Sequence, residues 1–230
     1  MATNDNATPF LATEYDALME KTVPFYANFH EEVFHLVHVL QDSPNQWLDT
    51  GGGTGTLIMK ALPLFPATRF FLADPSAAML EQARVKLESA DPERVSILPA
   101  AGSQHLNKEL ASQFDVITAI QCHHYLDREQ RQAAVESCYR LLKPGGLFLN
   151  FENIRPGSER TVEIGKEYWK SYQIRKGKSR EAAQEHLERF DRAFFPITLR
   201  EHLSLFQESG FKTADLFWYS YMQAGFFAIK

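Results

Sequence analysis

Residues 47–57 read WLDTGGGTGTL, and they place four glycines within the five positions from Gly51 to Gly55. A short apolar run that ends at Asp49 precedes the glycines, and a second apolar run follows them. A turn this rich in glycine lets the backbone approach another group closely, because no Cβ atom intervenes. The flanking runs are typical of a buried strand and a helix. The segment therefore predicts a strand–turn–helix unit that holds a ligand.

The rest of the chain repeats this alternation of short apolar runs and amphipathic stretches. Strands are predicted at NQWLDT, TRFFLAD, VSILPA, FDVITAIQ and LFLNFEN. Strands that alternate with helices form a parallel, doubly wound α/β sheet. Only a short turn separates the last two runs, FKTADLFWYSY and GFFAIK, and this forces them to pair antiparallel. We expect a Rossmann-like, seven-stranded sheet that is mostly parallel and ends in a C-terminal antiparallel hairpin.

Two helical regions lie outside this alternation. Residues 9–41 have a helical pattern that breaks at KTVP, where Thr22 is predicted to cap the second helix. Residues 153–196 contain two helical stretches, near 162–174 and 179–193, and no strand pattern. A chain of 230 residues suits one domain. We therefore predict a single domain, residues 1–230, in which both helical regions form a substrate cap.

The bulk composition excludes several classes of protein. A net charge of −5 and a pI near 5.9 give no sign of general nucleic-acid affinity. No apolar run approaches the roughly 20 residues that span a bilayer, and MATNDNATPF lacks the features of a secretory signal. The two cysteines, Cys122 and Cys138, form no metal-binding pair in sequence. We expect a cytoplasmic protein with no membrane association.

Three cofactor classes compete for the glycine turn. A phosphate-binding P-loop requires a lysine that the turn lacks. A dinucleotide fingerprint requires a third glycine where Thr56 stands. The spacing that remains, DxGxGxG from Asp49 to Gly55, puts a carboxylate beside the turn, where it would repel a pyrophosphate and attract an ammonium group.

A second carboxylate indicates the other end of the ligand. Asp74 ends the second strand, 19 residues after Gly55, where it can accept hydrogen bonds from the ribose hydroxyls of an adenosine. An adenosine joined to a cationic amino-acid tail is S-adenosylmethionine. The sequence therefore predicts S-adenosyl-L-methionine as the cofactor.

Five segments in order resemble the class I S-adenosylmethionine-dependent methyltransferases: LDTGGGTG, LADPSAAML, FDVITAIQCHHYL, RLLKPGGLFLN, and ESGF with the hairpin after it. The N-terminal TVPFYANF and the C-terminal end are similar to one subgroup, the carboxy-S-adenosylmethionine synthases of tRNA modification. That subgroup uses an arginine before the hairpin to bind an extra carboxylate. Leu205 stands at the matching position, so ordinary methyl transfer is the prediction and the synthase an alternative.

The resemblance implies a set of cofactor contacts beyond the two carboxylates. Many family members also have an aspartate that binds the adenine amino group, and here PAAGSQ offers Ala101 in its place, so backbone amides or the Ser103 hydroxyl are expected to contact the ring. The full predicted set is Tyr26, Asp49, Thr50, Gly51, Gly53, Asp74, Pro75, Met79, Ala101, Gly102, Ile120 and Gln121.

The family has no universal catalytic residue, because the sulfonium carries the reactivity. Candidates for a base or a substrate contact are His123, His124 and Glu152, which follow or end predicted strands. The alternative for the histidines is that one packs under the loop and the other is solvated. No metal site is expected, and His30, His35 and His38 are interpreted as surface or cap residues.

A small-molecule methyl acceptor is the predicted partner. RNA or an anionic metabolite is a further possibility, because six basic residues lie between Lys166 and Arg180 against one acidic residue, Glu167; a solvated helix face is the simpler interpretation. Two other functions stay open at this point, a nicotinamide-dependent oxidoreductase and a non-catalytic cofactor-binding module.

Overall fold

The computed structural model describes Asp5, residues 7–41 and residues 43–230, so residues 1–4, Asn6 and Asp42 of the predicted single domain lie outside the described part. Seven strands form one sheet in the order β3-β2-β1-β4-β5-β7-β6. The first five strands pair in parallel, and β7 lies antiparallel between β5 and β6. The strands are β1 Gln46–Thr50, β2 Arg69–Ala73, β3 Val95–Ile97, β4 Phe114–Ile120, β5 Leu142–Asn153, β6 Thr213–Ser220 and β7 Gln223–Ile229. The predicted seven-stranded sheet with its terminal hairpin is confirmed.

Helices connect the strands and cover both faces of the sheet. Their bounds are α1 Tyr15–Thr22, α2 Tyr26–Leu40, α3 Thr56–Ala61, α4 Ala77–Lys86, α5 Arg128–Leu141, α6 Glu159–Arg175, α7 Arg180–Glu188 and α8 Leu199–Glu208. The prediction that Thr22 caps the second helix is wrong: Thr22 ends α1 and its hydroxyl donates to the Leu18 carbonyl. Helix α2 instead begins after Phe25, whose φ of 58° reverses the chain without a side-chain cap.

Two apolar layers hold the sheet between helices. Side chains alternate across β1, so that Trp47 joins one layer and Leu48 the other. Helices α2, α3 and α4 bury residues such as Val33, Ile58 and Ala83 in the first layer. Helices α5 and α8 bury residues such as Cys138 in the second. The sheet is therefore covered on both faces, and the carboxyl ends of its parallel strands are left for ligands.

Helices α6 and α7, called the cap below, stand over that carboxyl edge. The indole of Trp169 on α6 donates to the Thr22 carbonyl at the end of α1, at 2.6 Å. The backbone N–H of Phe195, after α7, donates to the His124 carbonyl beyond β4, at 2.7 Å. These contacts join the cap to the N-terminal helices and to the loop that follows β4. In the described part of the chain, every helix is too short or too polar to cross a bilayer.

Candidate functional site

The glycine turn joins β1 to α3, and its glycines differ in what lies beside them. Gly55 has a φ of 77°, and a Cβ there would lie 2.9 Å from the Leu87 side chain, so this glycine lets the helix pack against its neighbour. A Cβ on Gly51 would lie 2.5 Å from that of Cys122, so this glycine serves protein packing. At Gly53, with a φ of 55°, a Cβ would meet only Tyr15, at 3.8 Å. Gly53 is therefore the glycine that faces open space.

Two cavities meet at this turn and share Tyr15, Gly51 and Gly53 in their walls. The inner cavity is small, about 20 Å³, and the Asp49 carboxylate lies in its wall. The outer cavity is about 180 Å³, and Asp74 lies in its wall. The predicted residues Tyr26 and Ile120 line the inner cavity, and Pro75, Met79 and Gln121 line the outer one. The two carboxylates thus belong to adjoining spaces on either side of one glycine turn.

Asp49 is a buried carboxylate, with only 2% of its surface exposed. Its Oδ1 accepts a hydrogen bond from the Thr118 hydroxyl at 2.8 Å, and Thr118 in turn accepts one from the Trp47 indole at 3.0 Å. Burial raises the pKa of Asp49 to about 7, although the Thr118 bond opposes the shift. Among the described residues, no lysine, arginine or histidine forms an ion pair with this carboxylate. A ligand cation at this point would offset the cost of its burial.

Asp74 organises the turn from the end of β2. Its Oδ2 accepts from the Gly53 N–H at 2.9 Å, and its Oδ1 accepts from the Ser76 N–H at 2.8 Å. Burial raises the pKa of Asp74, and these two bonds partly offset the rise. A carboxylate oxygen can accept more than one hydrogen bond, so each oxygen retains capacity for a hydroxyl donor. The arrangement suits a diol.

Helix α1 lies over the glycine turn through a polar cluster. The Asp16 carboxylate accepts from the hydroxyls of Thr54 at 2.7 Å and Thr56 at 3.0 Å, and it pairs with the Lys86 ammonium at 2.5 Å. Thr56, which breaks the dinucleotide fingerprint, therefore ties α1 to the turn. This tether holds Tyr15 between the two cavities.

Gln121 has a strained backbone and an amide without a partner. Its φ is 56°, a value that a residue other than glycine rarely adopts. Its side chain is 5% exposed, and the buried Nε2 has no hydrogen-bond partner in the described structure. An unpaired buried donor is uncommon and costs stability, and this one belongs to a residue in the wall of the outer cavity. It is suited to an acceptor atom of a ligand.

Three predicted contacts lie behind the cavity walls. Thr50 is fully buried, and its hydroxyl bonds to that of Ser103 at 2.8 Å. Ser103 also bonds to the Nε2 atom of His123 at 2.8 Å, so its hydroxyl is engaged inside the protein, which does not fit the predicted contact with adenine. Ala101 and Gly102 precede it and are outside the lining of both cavities. Backbone groups of this loop remain the expected ring contacts.

The candidate catalytic residues form a buried network. Glu152 is fully buried and accepts from the backbone N–H groups of His123 and His124, from the Asn150 amide and from His124 Nδ1. Burial opposes its ionisation, but its bond to His124 and the two nearby histidines lower the pKa of Glu152 to about 2. His124 Nε2 accepts from the Asn153 amide at 3.1 Å. Such a satisfied carboxylate fixes the loop after β4, and the structure places His123, His124 and Glu152 outside the lining of both cavities.

Two side chains that the sequence analysis treated otherwise belong to the site. The interpretation of His30 as a surface or cap residue is wrong, because it is 2% exposed and lines the inner cavity; His35 and His38 are exposed. Burial and the neighbouring Lys60 lower the pKa of His30 to about 3. Tyr125, beyond β4, lines the outer cavity and was not singled out. Within the described residues, no three His, Cys, Asp or Glu side chains are placed to hold a metal ion.

The basic residues between Lys166 and Arg180 do not form one surface. Lys170 pairs with Glu167 at 2.6 Å, and Arg175 bonds to the Tyr221 hydroxyl at 2.9 Å. Lys166 lies over the Phe190 ring at 4.1 Å. Lys178 differs from these, since it is partly buried and bonds to the Gln173 amide oxygen at 3.0 Å. These basic side chains therefore have different partners and do not form one continuous basic surface.

Leu205 is part of the apolar core. It is 8% exposed on α8 and packs in the layer that contains Phe206 and Phe211. Its outer side lines a groove with Arg131 and Glu201, which is separate from both cavities at the glycine turn. The position at which the resemblance implies an arginine therefore has no charge and does not border either cavity.

Part of the chain matches a known protein family. Residues 48–148 match a family described as a methyltransferase domain. The chain is similar to the carboxy-S-adenosyl-L-methionine synthase of Staphylococcus epidermidis, with 21% identity over 220 residues, 95% of this chain and 93% of that protein.

Solved structures share the fold at low identity. A Haloferax volcanii methyltransferase, solved with the Trm112 methyltransferase activator, has a TM-score of 0.66 at 17% identity and covers 99% of both chains. Haemonchus contortus phosphoethanolamine N-methyltransferase 2, solved with S-adenosylhomocysteine and phosphomonomethylethanolamine, has a TM-score of 0.65 at 16% identity, over 94% of this chain and 47% of that one. The likeness of fold extends over nearly the whole chain.

Proposed function

Because this chain belongs to the class I S-adenosylmethionine-dependent methyltransferases, we propose that it transfers the methyl group of S-adenosylmethionine to a small-molecule acceptor held beneath the cap. The membership rests on the matched methyltransferase domain, the curated relatives and the shared fold. It favours a transferase over a nicotinamide-dependent oxidoreductase or a non-catalytic module. A fold by itself does not fix a reaction, so the assignment of roles depends on the two cavities.

The observation that carries the proposal is the buried, unpaired carboxylate of Asp49 beside a second carboxylate, Asp74, across one glycine turn. An ammonium group in the inner cavity would neutralise Asp49 in a low-dielectric setting, where the attraction is strong. A ribose in the outer cavity would donate both hydroxyls to Asp74. Met79 and Pro75 offer an apolar contact for an adenine ring. Together these features suit a ligand with a cationic end and an adenosine end.

S-adenosylmethionine, when bound, supplies an electrophilic methyl group. The protein contributes alignment of the acceptor with that carbon and exclusion of water, and these account for a large part of catalysis in such displacements. Tyr15, held over the turn by the Asp16 cluster, and the cap close the carboxyl edge. Tyr125 and Cys122 also line the outer cavity and are available to contact an acceptor. No side chain is assigned as a general base.

The proposal is tested by isothermal titration of the full-length chain with S-adenosylhomocysteine and with NAD⁺. We expect S-adenosylhomocysteine to bind at micromolar concentration and NAD⁺ not to bind. Wild-type protein and a Glu136→Gln control should bind alike, because Glu136 is exposed on α5. Binding of NAD⁺ in preference to S-adenosylhomocysteine would refute the assignment. Turnover then needs a screen of acceptors with labelled methyl donor.

A carboxy-S-adenosylmethionine synthase is the second candidate, and it is supported by the curated relatives, which align over nearly the whole chain. Against it, Leu205 offers no cation and lines a different groove. Mass spectrometry of nucleosides released from the purified protein separates the two. Unmodified S-adenosylmethionine or its homocysteine product supports methyl transfer, whereas a carboxylated cofactor supports the synthase.

A further inference from the structure

The underside of the cap contains a cluster of basic and amide side chains that the proposed cofactor site does not use. His186 and Arg189 lie three residues apart at the end of α7, and burial, followed by the cations of Lys178 and Arg189, opposes protonation of the His186 ring. Gln173 joins them through its bond with Lys178 at 3.0 Å. The cluster lies between α6 and α7, beneath Trp169, whose ring centroid is 5.1 Å from that of His186.

Four buried nitrogen atoms in this cluster have no partner. They are Gln173 Nε2, both ring nitrogens of His186 and Arg189 Nε, within the part of the chain that the structure describes. Buried donors without a partner are rare in folded proteins, and a group of them requires an explanation. Burial and the nearby cations lower the pKa of His186 to about 3, so its ring is neutral and one nitrogen is a donor.

The two cations also lack acidic partners. No carboxylate of the described chain forms an ion pair with Lys178 or Arg189, although Lys166, Lys170 and Arg175 nearby have contacts on the outer surface. Lys178 is partly buried, and this burial lowers its pKa to about 8. Partly buried cations with free donors form a site for an anion.

The cluster borders the outer cavity. Arg189 Nη2 donates to the Ala7 carbonyl at 2.7 Å, and Ala7 is in the wall of that cavity. Tyr125, another wall residue, is close enough that Arg189 opposes the rise of its pKa on burial. The contact with Ala7 uses one of the five N–H groups of the guanidinium. Arg189 therefore lies beside the wall of the outer cavity.

We propose that the methyl acceptor is a small organic acid whose carboxylate binds Lys178, His186 and Arg189 while its apolar body lies against Tyr125. This inference rests on the proposed function, since it names the substrate class of the same site. The wall of the outer cavity offers Leu126 beside Tyr125 for such a body, apart from Pro75 and Met79, which are assigned to the adenine ring. A planar guanidinium is well matched to a carboxylate, which it can bind with two parallel hydrogen bonds.

The test uses full-length protein saturated with S-adenosylhomocysteine and titrated with benzoate, with neutral benzamide and with phenyl phosphate. Benzoate is expected to bind at least about tenfold more tightly than benzamide, since a charge-assisted hydrogen bond is worth at least that factor. Equal binding of benzoate and benzamide, or no binding of benzoate, would overturn the proposal. Tighter binding of phenyl phosphate than of benzoate would overturn the choice of carboxylate.

Variants locate the site. Lys178→Met and Arg189→Met should each weaken benzoate binding about tenfold, and Arg189→Lys should restore part of the loss. The matched controls are Lys176→Met and Arg192→Met, which remove exposed cations from the same two segments. The affinity for S-adenosylhomocysteine is measured on every variant, and an unchanged value shows that the fold and the cofactor site are intact. If Lys178→Met and Arg189→Met bind benzoate and S-adenosylhomocysteine as tightly as the wild type, the assignment of the carboxylate site is refuted. If the wild type does not bind S-adenosylhomocysteine, the proposed function is refuted instead. Should Arg189→Met not fold, Lys178→Met and Arg189→Lys still decide the outcome.

Discussion

Replacement of Asp49 by asparagine should weaken cofactor binding and stabilise the free protein. The side chain is 2% exposed and has no cationic partner in the described chain, so its charge is costly until a ligand ammonium neutralises it. Asparagine keeps the size of the side chain and removes the charge. One substitution is therefore expected to move affinity and stability in opposite directions.

The magnitude follows from the pKa of Asp49, which is raised from 3.8 to about 7 in the folded state, chiefly by burial. Because the folded protein holds this proton more tightly than the unfolded chain, its stability falls as the pH rises from about 4 to 7. Each pKa unit corresponds to about 1.4 kcal/mol, so the cost grows from about 2 kcal/mol at pH 5 to about 4 kcal/mol at pH 8. Relaxation of the interior makes these values upper bounds.

The assay is thermal and urea unfolding of the ligand-free protein at pH 5 and pH 8. Asp49→Asn should be more stable than the wild type at pH 8, with a smaller gain at pH 5. An increase of about 2–4 °C in Tm for each kcal/mol is typical of a chain of this length. The Glu136→Gln control removes one exposed carboxylate and should change neither value. A variant that is less stable than the wild type at pH 8 would refute the electrostatic argument.

The affinity of Asp49→Asn for the cofactor product is the second quantity to measure. Loss of one partner of a buried ion pair costs roughly 3–5 kcal/mol, so S-adenosylhomocysteine should bind Asp49→Asn at least about 100-fold more weakly. The wild type should also lose affinity as the pH falls below about 7, because protonation removes the charge that the ammonium needs. Undiminished binding by the variant would show that the inner cavity does not hold the ammonium.

Three other substitutions test neighbouring parts of the structure. Asp74→Asn should weaken S-adenosylhomocysteine binding by about 10- to 100-fold, through lost charge-assisted hydrogen bonds to the ribose, as measured by titration calorimetry; unchanged affinity would contradict the ribose assignment. Thr118→Val removes the hydroxyl that bonds to Asp49, so the pH at which cofactor affinity declines should move upward, and an unshifted profile would refute the role of this bond. His202 is buried against Phe226 and its pKa is lowered to about 3 by burial, so its contribution to stability is lost as the pH falls below 6.5. Between pH 7.5 and pH 5 the free energy of unfolding of the wild type should fall by about 2 kcal/mol more than that of His202→Leu, as measured by urea unfolding. An equal fall in both proteins would refute this.

The fold could be predicted from apolar patterns, because each strand and helix is encoded by neighbouring residues in the sequence. The runs around Trp47 and Val116 have the length and burial of sheet strands, and the short turn before Gln223 allows only antiparallel pairing. Helices α5 and α8 begin at capping boxes, at Asp127 and Thr198, which are likewise local sequence patterns. The start of α2 was not predicted correctly, because a left-handed Phe25 has no sequence signature.

Contacts between distant segments were less accessible to sequence reasoning. Thr118 lies beside Asp49 in the register of β1 and β4, and its only sequence signal was a polar residue inside the run VITAI. Ser103 was expected at the adenine but bonds to Thr50 and His123, which no local pattern indicates. The burial of His30 depends on how α2 packs over the glycine turn. These features arise from tertiary packing and need coordinates.

The buried carboxylates of this protein are of two kinds, which Glu152 and Asp49 represent. Glu152 accepts four hydrogen bonds from its surroundings, and this satisfaction makes it a support for the loop after β4. Asp49, in contrast, has one hydrogen bond and no cationic partner among the described residues, and its pKa is raised rather than lowered. A protein retains such a costly group where a ligand completes it. The unsatisfied carboxylate, and not the carboxylate with the most contacts, is therefore the better guide to where this chain binds its cofactor.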